Sequence, residues 1–132
     1  MDPHDPKVLY AASWQRLRYG DGDMDESGPG SAIYKTADAG KTWRKLTNGI
    51  PTENPGKIGL AVAYHNSNIV YAAILSGEPL GQGKRTSPAG CVFRSIDGGE
   101  SWQRVNSMQS SYYYSHIYVD PSDDNRVVMP VY

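Results

Sequence analysis

Short apolar runs broken by polar turn clusters set the pattern of this chain. Ile58 to Tyr64 (IGLAVAY) and Ile69 to Leu75 (IVYAAIL) are rich in β-formers and are parted by His65-Asn66-Ser67-Asn68, a strand-turn-strand signature. Cys91 to Ser95 then runs into Asp97-Gly98-Gly99, and Trp102-Gln103-Arg104-Val105 alternates away from it, which predicts a hairpin with a glycine-rich tip. No segment carries an apolar stripe of helical period over three turns. The pattern predicts four antiparallel strands and then begins again.

The repetition is explicit. TADAGKTW, from Thr36 to Trp43, returns as SIDGGESW, from Ser95 to Trp102, so that Asp38 recurs as Asp97, 59 residues on. VLYAA at Val8 to Ala12 recurs as IVYAA at Ile69 to Ala73, and a partial third copy, VVMPV, follows at Val127 to Val131. Self-similarity at this period marks stacked supersecondary units. A four-stranded all-β unit, repeated, is a β-propeller blade, and the expected fold class is an all-β propeller segment of partial, full and partial blades. The expected divisions are residues 1–51, 52–106 and 107–132 of one domain.

The residue types of the repeated octet fit a turn. Asp38 and Asp97 can accept bonds from turn amides, Gly40 and Gly99 supply positive φ, and Thr36 and Ser95 can bond across the turn. Trp43 and Trp102 open the fourth strand, where each ring is expected to be buried against a neighbouring blade. Turn chemistry accounts for every residue type in the motif, so these aspartates are read as structural and no residue of the chain is assigned a catalytic role.

The pattern S/T-x-D-x-G-x-x-W, matched by both copies at all four positions, resembles the Asp-box, or bacterial neuraminidase (BNR) repeat. Asp-boxes occur as structural turns in sialidases, in xyloglucan-degrading glycoside hydrolases and in sortilin-like receptors. Gly28 to Pro51, Ile58 to Ala72 and Tyr112 to Val127 look like successive blades of bacterial sortilin-like BNR-repeat proteins, many of them labelled glycosyl hydrolases. Ala63-Tyr64 departs from the Asp-Pro found at Asp2-Pro3 and Asp120-Pro121, and His116 stands where a Gln is expected. The resemblance implies an extracellular or periplasmic setting, and partners that include the remaining blades of a larger ring.

Length bears on that last point. The chain holds about 2.2 repeats of this period, whereas closed propellers use roughly four to eight blades. It starts near the second strand of one blade and stops at the second strand of a third, so it is expected to be an internal stretch of a longer protein.

In a four-stranded meander, links one-to-two and three-to-four share one edge, and the other links share the opposite edge. Here the first edge has short turns, while the second has Trp14 to Gly30, Asn48 to Lys57, Ser76 to Ala89 and Asn106 to Tyr113. Long loops gathered on one face of a repeat array are its expected binding surface. Trp14, Arg16 and Arg18 form an aromatic and cationic contact candidate there, and Tyr112, Tyr113, Tyr114 and His116 form a second, able to stack on sugar rings or peptide side chains. DGDMDE, at residues 21–26, has the acidic spacing of a calcium loop but puts Glu26 at the sixth position and Ala32 where a bidentate Glu belongs, so it is read as a solvated acidic loop. No metal or cofactor is expected.

Charge and cysteine content add only limits. A net charge of −1 gives no basic footprint for nucleic acid, and no apolar run approaches a membrane span. Cys91, the single cysteine, aligns with Ala32 and is read as a small core residue. Two functions follow from different classes. The preferred one is a non-catalytic, sortilin-like propeller segment that binds peptide, protein or glycan through its long-loop face. The alternative is part of a sialidase-like or xyloglucanase-like glycoside hydrolase, with acid-base candidates at Asp23, Asp25, Glu26, Glu53 and Glu78.

Overall fold

A computed structural model describes residues 1–20, 22, 24–76, 89–109 and 116–130. All regular structure among them is β. The strands are β1 (Leu9–Ser13), β2 (Leu17–Arg18), β3 (Met24–Asp25), β4 (Ala32–Thr36), β5 (Arg44–Leu46), β6 (Pro55–Val62), β7 (Val70–Ser76), β8 (Ala89–Ser95), β9 (Gln103–Gln109), β10 (Tyr118–Asp120) and β11 (Asp123–Val128). They form a three-stranded sheet β1-β4-β5, a four-stranded sheet β6-β7-β8-β9 and a two-stranded sheet β10-β11, with all pairs antiparallel. The hairpin β2-β3 is additional, projecting from within the loop that the sequence reads as irregular.

Strand β7 shows why the sheets stack. Its side chains alternate between two buried clusters, as the period of two requires. Val70, Ala72 and Ile74 join Ile33, Leu46 and Trp102 in a cluster between the first and second sheets. Ile69, Tyr71 and Ala73 join Val92 and Ile117 in a cluster on the opposite side, where Val119 and Val127 of the third sheet pack. A strand buried on both faces reads as a continuous apolar run, which is the reason IVYAAIL lacks polar alternation. Cys91 packs half-buried against the first cluster.

The short turns share one edge. The Ala39 amide donates to the Lys7 carbonyl at 3.0 Å, and the Gly98 amide donates to the Asn68 carbonyl at 2.8 Å, so in each of these sheets the turn between its last two strands bonds the residues leading into its third-from-last strand. At the other edge the Gly28 amide donates to the Pro55 carbonyl at 3.0 Å, laying the long loop of the first sheet across the start of β6.

The two motif tryptophans differ. Trp102 is 4% exposed in the first cluster, but Trp43 is 44% exposed, which corrects the expectation that both rings are buried. The cause is positional, because the Trp102 ring packs against Ile33 and Leu46 of the preceding sheet. Trp102 meets the sheet β1-β4-β5, and no sheet precedes Trp43 among the described residues. Backbone contact tightens the same junction: the Trp102 amide donates to the Asn48 carbonyl at 3.1 Å. A Cβ on Gly49, whose φ is +85°, would lie 2.1 Å from the Trp102 carbonyl oxygen. We therefore expect Trp102→Ala to cost about 3–5 kcal/mol in denaturant unfolding, and Trp43→Ala about 1 kcal/mol. Equal losses would contradict the assignment of the junction.

Candidate functional site

The turns of the two repeated octets are built alike, atom for atom. Thr36 Oγ1 donates to Asp38 Oδ1 at 2.7 Å and accepts from the Asp38 and Gly40 amides at 3.2 and 3.0 Å. Asp38 also accepts from the Thr42 amide at 2.9 Å and the Thr42 hydroxyl at 2.6 Å, and the Trp43 indole donates to the Gly40 carbonyl at 3.1 Å. In the second copy Ser95 Oγ donates to Asp97 Oδ1 at 2.7 Å and accepts from the Asp97 and Gly99 amides. Asp97 accepts from the Ser101 amide and hydroxyl, and the Trp102 indole donates to the Gly99 carbonyl at 3.0 Å.

Thr42 and Ser101 escape the sequence reading although both copies carry a hydroxyl at that position. That recurrence was the available signal. The turn needs two successive residues at positive φ: Ala39 at 61° and Gly40 at 89° in the first copy, Gly98 at 69° and Gly99 at 89° in the second.

These bonds set the acidity of the motif. The Thr42 hydroxyl, then the Thr42 amide and the Thr36 hydroxyl, hold the Asp38 carboxyl down to about 2, and the hydroxyls of Ser101 and Ser95 do the same for Asp97, also to about 2. A carboxylate so held is a poor proton donor or acceptor near neutrality.

The long-loop face has a different chemistry. The Trp14 indole donates to the Glu26 carbonyl at 2.9 Å, with the Arg16 guanidinium 5.2 Å and the Lys57 ammonium 5.5 Å from the ring centroid. Tyr19 donates to Asp25 at 2.6 Å across the β2-β3 hairpin, and Arg16 and Arg18 both approach the Met24 sulfur, at 3.0 and 3.5 Å. Burial pushes the Glu26 carboxyl up, opposed by the Arg16 and Lys57 charges. The structure thus brings Trp14 and Arg16 together, with Arg18 beside them on the same hairpin, and adds Lys57 and Glu26.

Of the second candidate group, His116 falls among the described residues. His116 is exposed and stacks on Tyr118, with ring centroids 6.3 Å apart, whereas Tyr112, Tyr113 and Tyr114 lie outside the described residues, as do Asp23 and Glu78. Among the described residues no group of three or more His, Cys, Asp or Glu side chains is placed to hold a metal ion. No helix among them is long and apolar enough to cross a membrane.

Sheets of three, four and two antiparallel strands stacked in chain order define a segment of an all-β propeller. Among solved structures, the crystal structure of the GH74 xyloglucanase from Xanthomonas campestris matches it with a TM-score of 0.59 at 18% identity, over 95% of this chain and 18% of that one. A xyloglucanase of Hypocrea jecorina (strain QM6a) is 30% identical over 131 residues, which cover 95% of this chain and 13% of that protein. No family model matches the sequence. The chain spans less than a fifth of the length of either relative, and it is similar to propellers of the glycoside-hydrolase kind.

The depressed acidity gives a pH dependence with a definite sign. Both carboxyls are near 2 in the folded chain and near ~3.9 when unfolded. Their stabilisation is therefore complete above about pH 4 and is lost as pH falls through about 2. Melting temperatures taken across that window should drop for the wild type, and the combined variant Asp38→Asn, Asp97→Asn should start lower and fall less steeply. Parallel curves for the two proteins would remove the carboxylates from this role.

Proposed function

We propose that this chain is a glycan-facing segment of a glycoside-hydrolase-type β-propeller, supplying blades and loop surface for a xyloglucan-like polysaccharide. The observation that carries this reading is the 30% identity with a xyloglucanase along nearly the whole chain. In this reading the Trp14 loop, held over the start of β6, forms part of the polysaccharide surface, and the other blades of a ring are its immediate partners. A polysaccharide of this class places the protein outside the cytoplasm, in an extracellular or periplasmic setting.

In this scheme the segment contributes binding surface, and several of its described carboxylates are committed to other bonds. Asp38 and Asp97 are committed to turns, Asp120 bonds Ser122 and Arg126, Asp124 caps two backbone amides, and Glu100 is ion-paired with Lys35 and Arg44. That same commitment favours a second reading, a non-catalytic sortilin-like scaffold for peptide, protein or glycan. The two readings part company at the polysaccharide.

Affinity electrophoresis in gels cast with and without xyloglucan tests the proposal. The chain should be retarded by xyloglucan, and Trp14→Ala, which removes the ring anchoring the long loop, should weaken retention about fivefold, the equivalent of ~1 kcal/mol of aromatic contact. Identical mobility in both gels would contradict the proposal, and so would release of reducing ends by this chain alone.

A further inference from the structure

Both repeats carry a feature outside the repeated octet. Tyr10 on β1 lies directly opposite Lys35 on β4, and Tyr71 on β7 lies directly opposite Arg94 on β8, so each pair joins the two strands that precede the last strand of its sheet. In both pairs the cation sits over the ring, Lys35 Nζ at 5.6 Å and Arg94 Cζ at 5.8 Å from the centroid. In both, the tyrosine hydroxyl leaves its own sheet to donate to a backbone carbonyl of the next one. Tyr10 reaches the Gly98 carbonyl at 2.9 Å, and Tyr71 reaches the Asp124 carbonyl at 2.9 Å.

The cation crosses the same gap. Lys35 Nζ donates to the Gly98 carbonyl at 2.7 Å and lies 3.6 Å from Glu100, so one carbonyl takes both donors, one for each lone pair. Arg94 acts in series, donating through Nε to the Tyr71 hydroxyl at 3.1 Å and through Nη2 to Asn125 Oδ1 at 2.9 Å. Burial, reinforced by the charges of Asp2, Glu100 and Asp97, pushes the Tyr10 hydroxyl up to about 12, so it remains a donor around neutral pH.

We infer that this tyrosine–cation pair is a latch, one at each of the two described junctions, that fixes the short-turn edge of the first and second sheets to the sheet that follows. Two independent junctions in one chain show the same strand positions, ring contact and direction of donation, despite different cations and different acceptors. Apolar burial alone is non-directional. The latch adds direction, and it sets the angle at which successive sheets present their opposite, long-loop edges. The third repeat carries Met129 where Tyr10 and Tyr71 stand, so the tyrosine is a property of particular junctions and not of the strand itself.

Amide hydrogen exchange on the full chain tests the inference, because each latch has its own reporters. Gly98 and Gly99 report on the first, and His65 and Asn66, whose amides donate to the Asp124 carboxylate at 3.1 and 2.8 Å, report on the second. Tyr10→Phe and Lys35→Met should each accelerate exchange at Gly98 and Gly99 about tenfold and leave His65 and Asn66 unchanged. Tyr71→Phe and Arg94→Met should do the reverse. Lys35→Arg, which installs the cation of the second latch, should restore protection that Lys35→Met loses. Tyr→Phe keeps the ring and removes one oxygen, so each sheet retains its core. Acceleration at both sets of reporters from one variant, no acceleration at either, or failure of Lys35→Arg to restore protection would overturn the latch.

Discussion

The carboxylate of Asp97 is the constraint on which the described structure turns. It accepts from the Ser95 hydroxyl on one side of the turn and from the Ser101 amide and hydroxyl on the other, closing a loop that would otherwise carry unpaired backbone donors. Closing the loop fixes three outward features together. The Gly98 carbonyl faces Tyr10 and Lys35, the Glu100 side chain faces Lys35 and Arg44, and the Trp102 ring drops into the cluster containing Leu46 and Ile33. A turn within one sheet thereby becomes the contact surface for the sheet before it.

That coupling explains why packing is tightest where the sequence is least permissive. A side chain on Gly49 would collide with the Trp102 backbone, and a Cβ on Gly99 would come within 2.9 Å of the Leu46 side chain. The contact at Gly49 lets its backbone approach that of Trp102, and the one at Gly99 seats the Leu46 side chain against the turn. At the long-loop edge the described contacts include the Gly28–Pro55 bond, the Trp14 cluster and the Gln15 side chain against Gly28 and Gly30. The short-turn edge locks the first two sheets together through backbone as well as side-chain contact.

Much of this was legible from residue spacing, and the exceptions have physical causes. The octet repeat marks the turn, and the apolar run at Ile69 to Leu75 marks the strand buried on both sides. Strand ends were less legible: β6 begins at Pro55 rather than Ile58, and β9 continues to Gln109, because pairing with β7 and β8 extends both beyond their apolar cores. The hairpin β2-β3 went unseen because its two-residue strands rest on contacts such as Tyr19 with Asp25 and leave no apolar alternation. Trp43 and Trp102 are identical in sequence context and opposite in exposure, since burial belongs to the neighbouring sheet. On the long-loop face, Trp14 and Arg16 were singled out together, but Lys57 and Glu26 joined them only through folding.

Taken together, these contacts make the junction, rather than the sheet, the unit of stability: a lone sheet of this chain would leave an apolar face bare. Equilibrium denaturant unfolding followed by two probes tests this most directly, with tryptophan fluorescence of a Trp14→Phe, Trp43→Phe background reporting on Trp102 at the junction and far-ultraviolet circular dichroism reporting on all the sheets. The account predicts coincident transitions with a single midpoint. Loss of the Trp102 signal at a distinctly lower denaturant concentration than the β signal would show that the sheets stand without their junction, and would contradict it.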